Sequence, residues 1–273
     1  MQKRESNKAY HSNPAVSKSM LSNMAVNPQY YKWCLDNPQE PTNDLIFGSA
    51  FHKLVLEPET FYDEFAVMPI CDRRTKEGKI FFENFMISAN GKTIIDQEQY
   101  DTICAMRDSV MSNKYAVALL KGTHEQSFYW VDDFTKIECK CRPDCFRRIK
   151  DRVLITDLKS CRSADLQTIE KDVVKFAYEL QDYMYSKGVS EDLKVPIENI
   201  DFIFIFVEKK APYQVNIVQP NDLVRQRGEN LYREYIGTLK YCRESGNYYG
   251  YMGAENIPNE LSLPAYLIKD LGE

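Results

Sequence analysis

The chain has 273 residues, 44% hydrophobic and 27% charged with both signs interspersed, which supplies a substantial core and excludes wholesale disorder. Its net charge of −5 repels polyanions on average, so any contact with nucleic acid has to be a local affair. No apolar run is long enough to span a bilayer, and MQKRESNKAYHSNPAVSKS lacks the apolar segment of a signal peptide; the expectation is a cytoplasmic protein with no membrane partner and free thiols.

In chain order, the first sixteen or so residues are polar and read as a flexible arm. Ser17 or Ser19 caps a helix through MLSNMAVNP, stopped by Asn27-Pro28, and QYYKWCL forms a second short helix. PQEPTND is a loop, and LIFGSAFHKLVLEPETF a helix ending near Pro58. Residues 63–70 are predicted as a strand, 71–79 as a polar loop, and 80–120 as mostly helix broken near Asn90-Gly91 and Asn113. QSFYWV, IECKCRPDCF and RVLITDLKS read as three adjacent strands of a meander. Helix follows from Ser163, with an amphipathic run from about Val173 to Lys187. IDFIFIFVEK is a buried central strand, YQVNIVQ another strand, Asn221–Glu244 a long helix, and the tail loop with short turns. This order implies an α/β (α+β) fold, a central mixed sheet flanked by helices. The whole chain, 1–273, reads as one domain: the arm over 1–16, a mainly helical part to about 120, a core over about 121–244 and a C-terminal extension over 245–273.

The chemistry sits in CRPDCFRRIKDRVLITDLKSC, residues 141–161. Strand alternation puts Asp157 and Lys159 on one face. With a turn near Ile149–Asp151, Asp144 falls roughly opposite Asp157. Two carboxylates held that close repel, a conflict a divalent cation with hard oxygen ligands resolves. An ammonium beside them can steady charge building on a phosphate, as metal-assisted phosphodiester hydrolysis requires. A bare D-x-K triplet is common as a surface ion pair, so the remaining residues have to decide. Downstream, Gln181 and Tyr185 are four apart and share a helical face with Tyr178. Cys139, Cys141, Cys145 and Cys161 invite a metal reading as well, but alternate strand residues do not build the usual Cys-x-x-Cys knuckle.

Pro143-Asp144, then Asp157-Leu158-Lys159, then Gln181-x-x-x-Tyr185 resembles the PD-(D/E)xK nuclease superfamily in its RecB-like and λ-exonuclease-like branch. The ordered set GSAFHKLVLEPE, EQSFYW, CKCRPD, ITDLKS and ELQDYMYSKG is similar to the RecE (exonuclease VIII) type over residues 17 to 220. The resemblance implies a restriction-endonuclease-like core. It makes Asp144 and Asp157 metal-binding acids, with the Leu158 carbonyl completing the shell, Lys159 the catalytic lysine, and Gln181 and Tyr185 the helix element that positions phosphate or lysine. It places His52 beside the metal and Glu125 near a second metal position. Asp157 stands where many relatives have Glu, one methylene shorter. The implied cofactor is Mg²⁺ or Mn²⁺, one or two ions. The implied activity is a 5′-to-3′ double-strand DNA exonuclease of phage-type recombination that hydrolyses phosphodiesters by metal-activated water. A structure-specific or restriction-like endonuclease and a non-catalytic DNA-binding module are the alternatives. Implied partners are duplex DNA ends, a single-strand annealing protein and further copies of the chain in a ring of three or four.

From Lys136 to Arg152 the chain carries seven basic against three acidic residues. Arg142, Arg147, Arg148, Lys150 and Arg152 are therefore expected to hold a DNA backbone beside the metal acids.

Overall fold

The computed structural model describes residues 5–264. The N-terminal part runs α1 (Asn7–Ser12), α2 (Lys18–Leu21), α3 (Pro28–Asp36), α4 (Asn43–Leu56), α5 (Phe61–Glu64), β1 (Phe65–Met68), α6 (Lys76–Ser88), β2 (Thr93–Asp96), α7 (Gln97–Ser112) and α8 (Lys114–Leu119). Polar caps set the boundaries: Ser17, Asn27, Thr42 and Thr75 each accept a backbone N–H in the first turn of α2, α3, α4 and α6. Asp96 and Gln99 form a reciprocal capping box on α7.

The remainder runs β3 (Thr123–His124), β4 (Phe128–Val131), β5 (Glu138–Cys141), β6 (Cys145–Ile149), β7 (Arg152–Cys161), α9 (Leu166–Lys175), α10 (Tyr178–Leu193), β8 (Ile200–Glu208), β9 (Val215–Val218) and α11 (Asp222–Ser245). The five-stranded sheet has the order β3-β6-β7-β8-β9, with β7 and β8 parallel and the other pairs antiparallel. The α/β expectation holds: a mixed sheet with helices on both faces. On one face Val153 and Ile155 of β7 and Phe202, Phe204 and Phe206 of β8 pack with Leu180 and Met184 of α10 and Ile236 and Leu239 of α11. On the other, Leu158, Ile205 and Val207 pack with Phe51 and Leu54 of α4 and Ile103 and Met106 of α7. Each such buried side chain contributes on the order of 1.5–3 kcal/mol. That double cover is why β8 reads as an unbroken apolar run. Helices α10 and α11 touch backbone to backbone: a Cβ on Gly228 would lie 2.0 Å from the Glu179 carbonyl oxygen. Among the described residues no helix is long and apolar enough to cross a membrane.

Four expectations need correction. IECKCRPDCF is not one strand; it breaks at Arg142–Asp144, β5 pairing with β4 in a separate two-stranded sheet while β6 joins the main sheet. Pro143 lacks the N–H a continuous ladder needs, and Asp144 is thereby freed from strand pairing. Thr93–Asp96 is a strand, parallel to Phe65–Met68, inside the stretch read as helical. The predicted amphipathic run is cut at Phe176–Ala177, where Ala177 takes a left-handed φ of 52°. Finally, residues 5–16 are packed rather than loose. Tyr10 is buried, Val16 bridges Cys139, and the Lys140 ammonium donates to the Tyr10 and Asn13 carbonyls at 2.6 and 2.7 Å. The end of the extension, residues 265–273, and the first four residues lie outside the described residues.

Candidate metal centre and cleft

Past the last antiparallel pair, Cys145↔Thr156, the chain leaves β6 at Asp144, across from Asp157 as the hairpin reading predicts. The Asp144 carboxylate accepts the Leu158 backbone N–H at 2.7 Å and lies 3.3 Å from His52 Nδ1 of α4. Its carbonyl accepts the Glu125 N–H at 3.2 Å. Glu125 sits at φ 51°, a left-handed conformation that costs a non-glycine residue about 1–2 kcal/mol and is here held by that contact. His52, Glu125 and Asp144 each offer a ligand atom within 4.8 Å of the others; among the described residues this is the only such group of His, Cys, Asp or Glu. The eight cysteines are free and form no comparable cluster among the described residues.

The electrostatics of this trio suit a hard divalent cation. Burial and the neighbouring Asp144 push the Glu125 carboxyl up to about 8, against the opposing pull of His52 and Arg142. Burial also acts against ionised Asp144, but His52, Lys159 and the Leu158 amide outweigh it and hold that carboxyl below its ordinary range. His52 is the mirror case: burial disfavours its cation, and Asp144 lifts it regardless. One imidazole nitrogen and two carboxylates, whose mutual repulsion a cation would relieve, are a donor set that fits a metal ion.

Asp157 stands beside this trio but outside it. Its carboxyl is 2% exposed and gripped at both oxygens, Oδ1 by the Lys159 ammonium and Oδ2 by the Gln181 side-chain amide. Burial pushes it up to about 6 despite the adjacent ammonium. Lys159 is held in its charged form, since Asp157 and Asp144 outweigh the burial that would discharge it. Its Nζ also sits 5.2 Å from the Tyr178 ring centroid. Strand alternation places Asp157 and Lys159 on the α10 side of the sheet, which is how Gln181 reaches Asp157. Tyr185, one turn on, lines the same cleft with its ring 6.3 Å from that of Phe202. The Leu158 side chain is fully buried on the opposite face, so only its backbone faces the acids.

These groups open into a cleft of about 1740 Å³ at the carboxyl ends of the parallel pair β7 and β8. His52, Glu125, Asp144, Lys159, Tyr178 and Tyr185 line it. Of the five residues expected to hold DNA, Arg142 alone lines it. Arg142 is 9% exposed, donates to the Ser127 hydroxyl and the Asn7 side-chain oxygen, and stacks 4.1 Å from the Tyr10 centroid. Arg147, Arg148, Lys150 and Arg152 do not, because β6 carries them away from Asp144 towards the hairpin turn. Arg152 there makes a two-pronged ion pair with Asp201 at 2.7 and 3.0 Å. Beside Arg142 and Lys159, the cleft is lined by Lys53, Arg162, Lys171, Lys175, Lys209 and Lys210, which sequence reasoning missed. The signal was present: Thr168, Lys171, Asp172 and Lys175 follow the 3-4-7 spacing of one helical face directly after the D-x-K strand.

The fold has a solved counterpart. A candidate exonuclease from Eubacterium rectale superposes with a TM-score of 0.63 at 14% identity, covering 99% of this chain and 98% of that one. The structure of SSO0001 is more distant, with a TM-score of 0.30 at 14% identity over 78% of this chain and 96% of that one. No curated protein matches the chain. The model of a PDDEXK-like domain of unknown function (DUF3799) matches residues 17–254, a span holding His52, Glu125, Asp144, Asp157, Lys159, Gln181 and Tyr185. The chain belongs to that family of PDDEXK-like domains, within the PD-(D/E)xK nuclease superfamily.

Proposed function

We propose that the protein is a divalent-metal-dependent deoxyribonuclease acting on duplex ends as a 5′-to-3′ exonuclease. The observation that carries this reading is the buried Asp157–Lys159–Gln181 array beside the His52–Glu125–Asp144 trio, open to one large cleft. Mg²⁺ or Mn²⁺, one or two ions, would be held by Asp144, Glu125 and His52 with Asp157 and the Leu158 carbonyl alongside. When bound, such an ion supplies Lewis acidity towards a phosphoryl oxygen and a water acidified to near neutrality. The chain's own residues do the rest. The Lys159 ammonium, fixed by Asp157, offsets negative charge growing on the phosphate in the transition state. Gln181 orients Asp157 through its amide, and Tyr185 walls the cleft on the α10 side. A place in phage-type recombination, beside a single-strand annealing protein and in a ring of three or four copies, belongs to the same proposal.

The test is a linear duplex labelled at its 5′ or 3′ end, incubated with Mg²⁺, with Mn²⁺ or with EDTA, beside a closed circle. Metal-dependent release of the 5′ label and an intact circle are the expected result. Asp157→Asn should abolish release while leaving DNA binding in place. Equal degradation by parent and variant would remove the assignment, and a linearised circle would convert the exonuclease to an endonuclease.

A further inference from the structure

One wall of the cleft carries an organised set of unspent charges. Thr168, Lys171, Asp172 and Lys175 form one face of α9, and all four line the cleft. Lys171, Lys175 and Arg162 have no ion-pair partner among the described residues. Asp165, nearby, is occupied capping α9 at the Thr168 N–H. At the end of the helix, Phe176 is 45% exposed although it borders the cleft, with the Lys175 ammonium 4.9 Å from its centroid. Its ring lies 5.7 Å from that of Tyr178, and Tyr178 lies 5.2 Å from Lys159 Nζ. The corner is tied down: Lys18 donates to the Phe176 carbonyl at 2.5 Å, and Ala177 turns the chain in the left-handed region. Cations and aromatic rings, with the Asp172 carboxylate among them, therefore run from α9 to Lys159.

The facing wall has the opposite character. Helices α4 and α5 and the turn between them present Glu57, Asp63 and Glu64, with Lys53 spent on Glu57 at 2.8 Å and Glu64 at 2.7 Å. One phosphate backbone is attracted along α9, and a second would run against carboxylates. An exposed aromatic ring among lysines suits an unpaired base, because a paired base keeps its faces inside the duplex stack.

We propose that the α9 face, with Arg162, Lys171, Lys175 and Phe176, is a track for single-stranded DNA leading to Lys159. Phosphates lie on the cations and one base stacks on Phe176. This deepens the proposed nuclease site and rests on DNA being its substrate: a duplex end is bound as one separated strand. The other strand is left outside the cleft.

The test is fluorescence anisotropy in EDTA, so that no strand is cut, with a labelled oligothymidylate of about twenty nucleotides and a duplex of equal length. The double variant Lys171→Ala/Lys175→Ala should bind the single strand about tenfold or more weakly, with the salt slope of log affinity reduced by about 1.4 for the two lost contacts. Phe176→Ala should weaken single-strand binding by about 5- to 100-fold and duplex binding far less. These side chains are exposed, and unchanged melting temperatures confirm intact folds. Unchanged affinity in the lysine variant, or equal losses on single strand and duplex in the phenylalanine variant, overturns the track. Cleavage is read separately with metal. A protein that never cleaves but shows both losses keeps the track and loses the hydrolase reading. One that cleaves with unaffected variants keeps the hydrolase and loses the track.

Discussion

Glu125→Gln isolates the electrostatic strain carried by one buried carboxyl. The Glu125 carboxyl is held up to about 8 in the fold, against 4.5 for an ordinary glutamate. A carboxyl whose folded value exceeds its unfolded value keeps its proton in the native state. Its contribution to stability is full below 4.5 and is lost as pH rises towards about 8. From 4.5 to neutrality that loss is about 3 kcal/mol, at about 1.4 kcal/mol per pH unit. Glutamine keeps the shape and removes the titration. Without ion, the variant should melt higher than the parent near neutral pH by roughly 5–10 °C, and the two should converge near pH 4.5. Mg²⁺ or Mn²⁺ should raise the melting temperature of the parent more than that of the variant, which lacks one of the proposed carboxylate ligands. Thermal denaturation followed by circular dichroism from about pH 4.5 to about pH 8, in EDTA and then with metal, reads all of this. Parallel pH profiles for parent and variant would show that Glu125 is not the strained acid, and an unchanged metal response would remove it from the ion.

Gln181→Ala frees one oxygen of the buried Asp157 and should cut nuclease activity about 10–100-fold in end-label release, beyond any loss of stability seen in the melting temperature; full activity would show that the bond positions nothing. Gly228→Ala forces a methyl against the Glu179 carbonyl and should cost at least about 2 kcal/mol in urea denaturation, whereas an unaltered midpoint would mean α10 and α11 can part freely. Arg225→Ala leaves Asp182, fully buried and paired at 2.8 Å, without its counter-charge. The expected cost is about 3–5 kcal/mol, largely recovered by adding Asp182→Asn, and an equally unstable double variant would refute the ion-pair account.

The Asp157–Lys159 strand was legible because its constraints are local. Alternation fixes the shared face of Asp157 and Lys159, and the short β6–β7 hairpin fixes Asp144 opposite Asp157. The unbroken apolar run of β8 announced burial on both faces. What could not be read depends on distant partners. Whether residues after Pro143 stay with β4 or join β7 is a tertiary decision, and IECKCRPDCF is equally strand-like either way. The packing of residues 5–16 rests on Lys140, whose carbonyl partners lie more than a hundred positions earlier in the chain. The basic hairpin drew attention by local density of charge, yet apart from Arg142 its basic residues lie along β6 and its turn, outside the lining of the cleft. The lysines of α9 resemble any solvated helical stripe until the opposite wall is seen. The juxtaposition of His52 and Glu125 with Asp144 was expected through resemblance alone, since no local pattern singles out a histidine on an apolar helix.

Asp157 and Lys159 are rungs of the parallel β7–β8 ladder, paired in register with Phe204 and Phe206 in the middle of the sheet. They cannot be separated without tearing out the most deeply covered seam of the molecule, so partial opening of the periphery leaves their geometry untouched. Heat should therefore undo this pair and the fold in a single event, while nicks in the outer helices leave it in place.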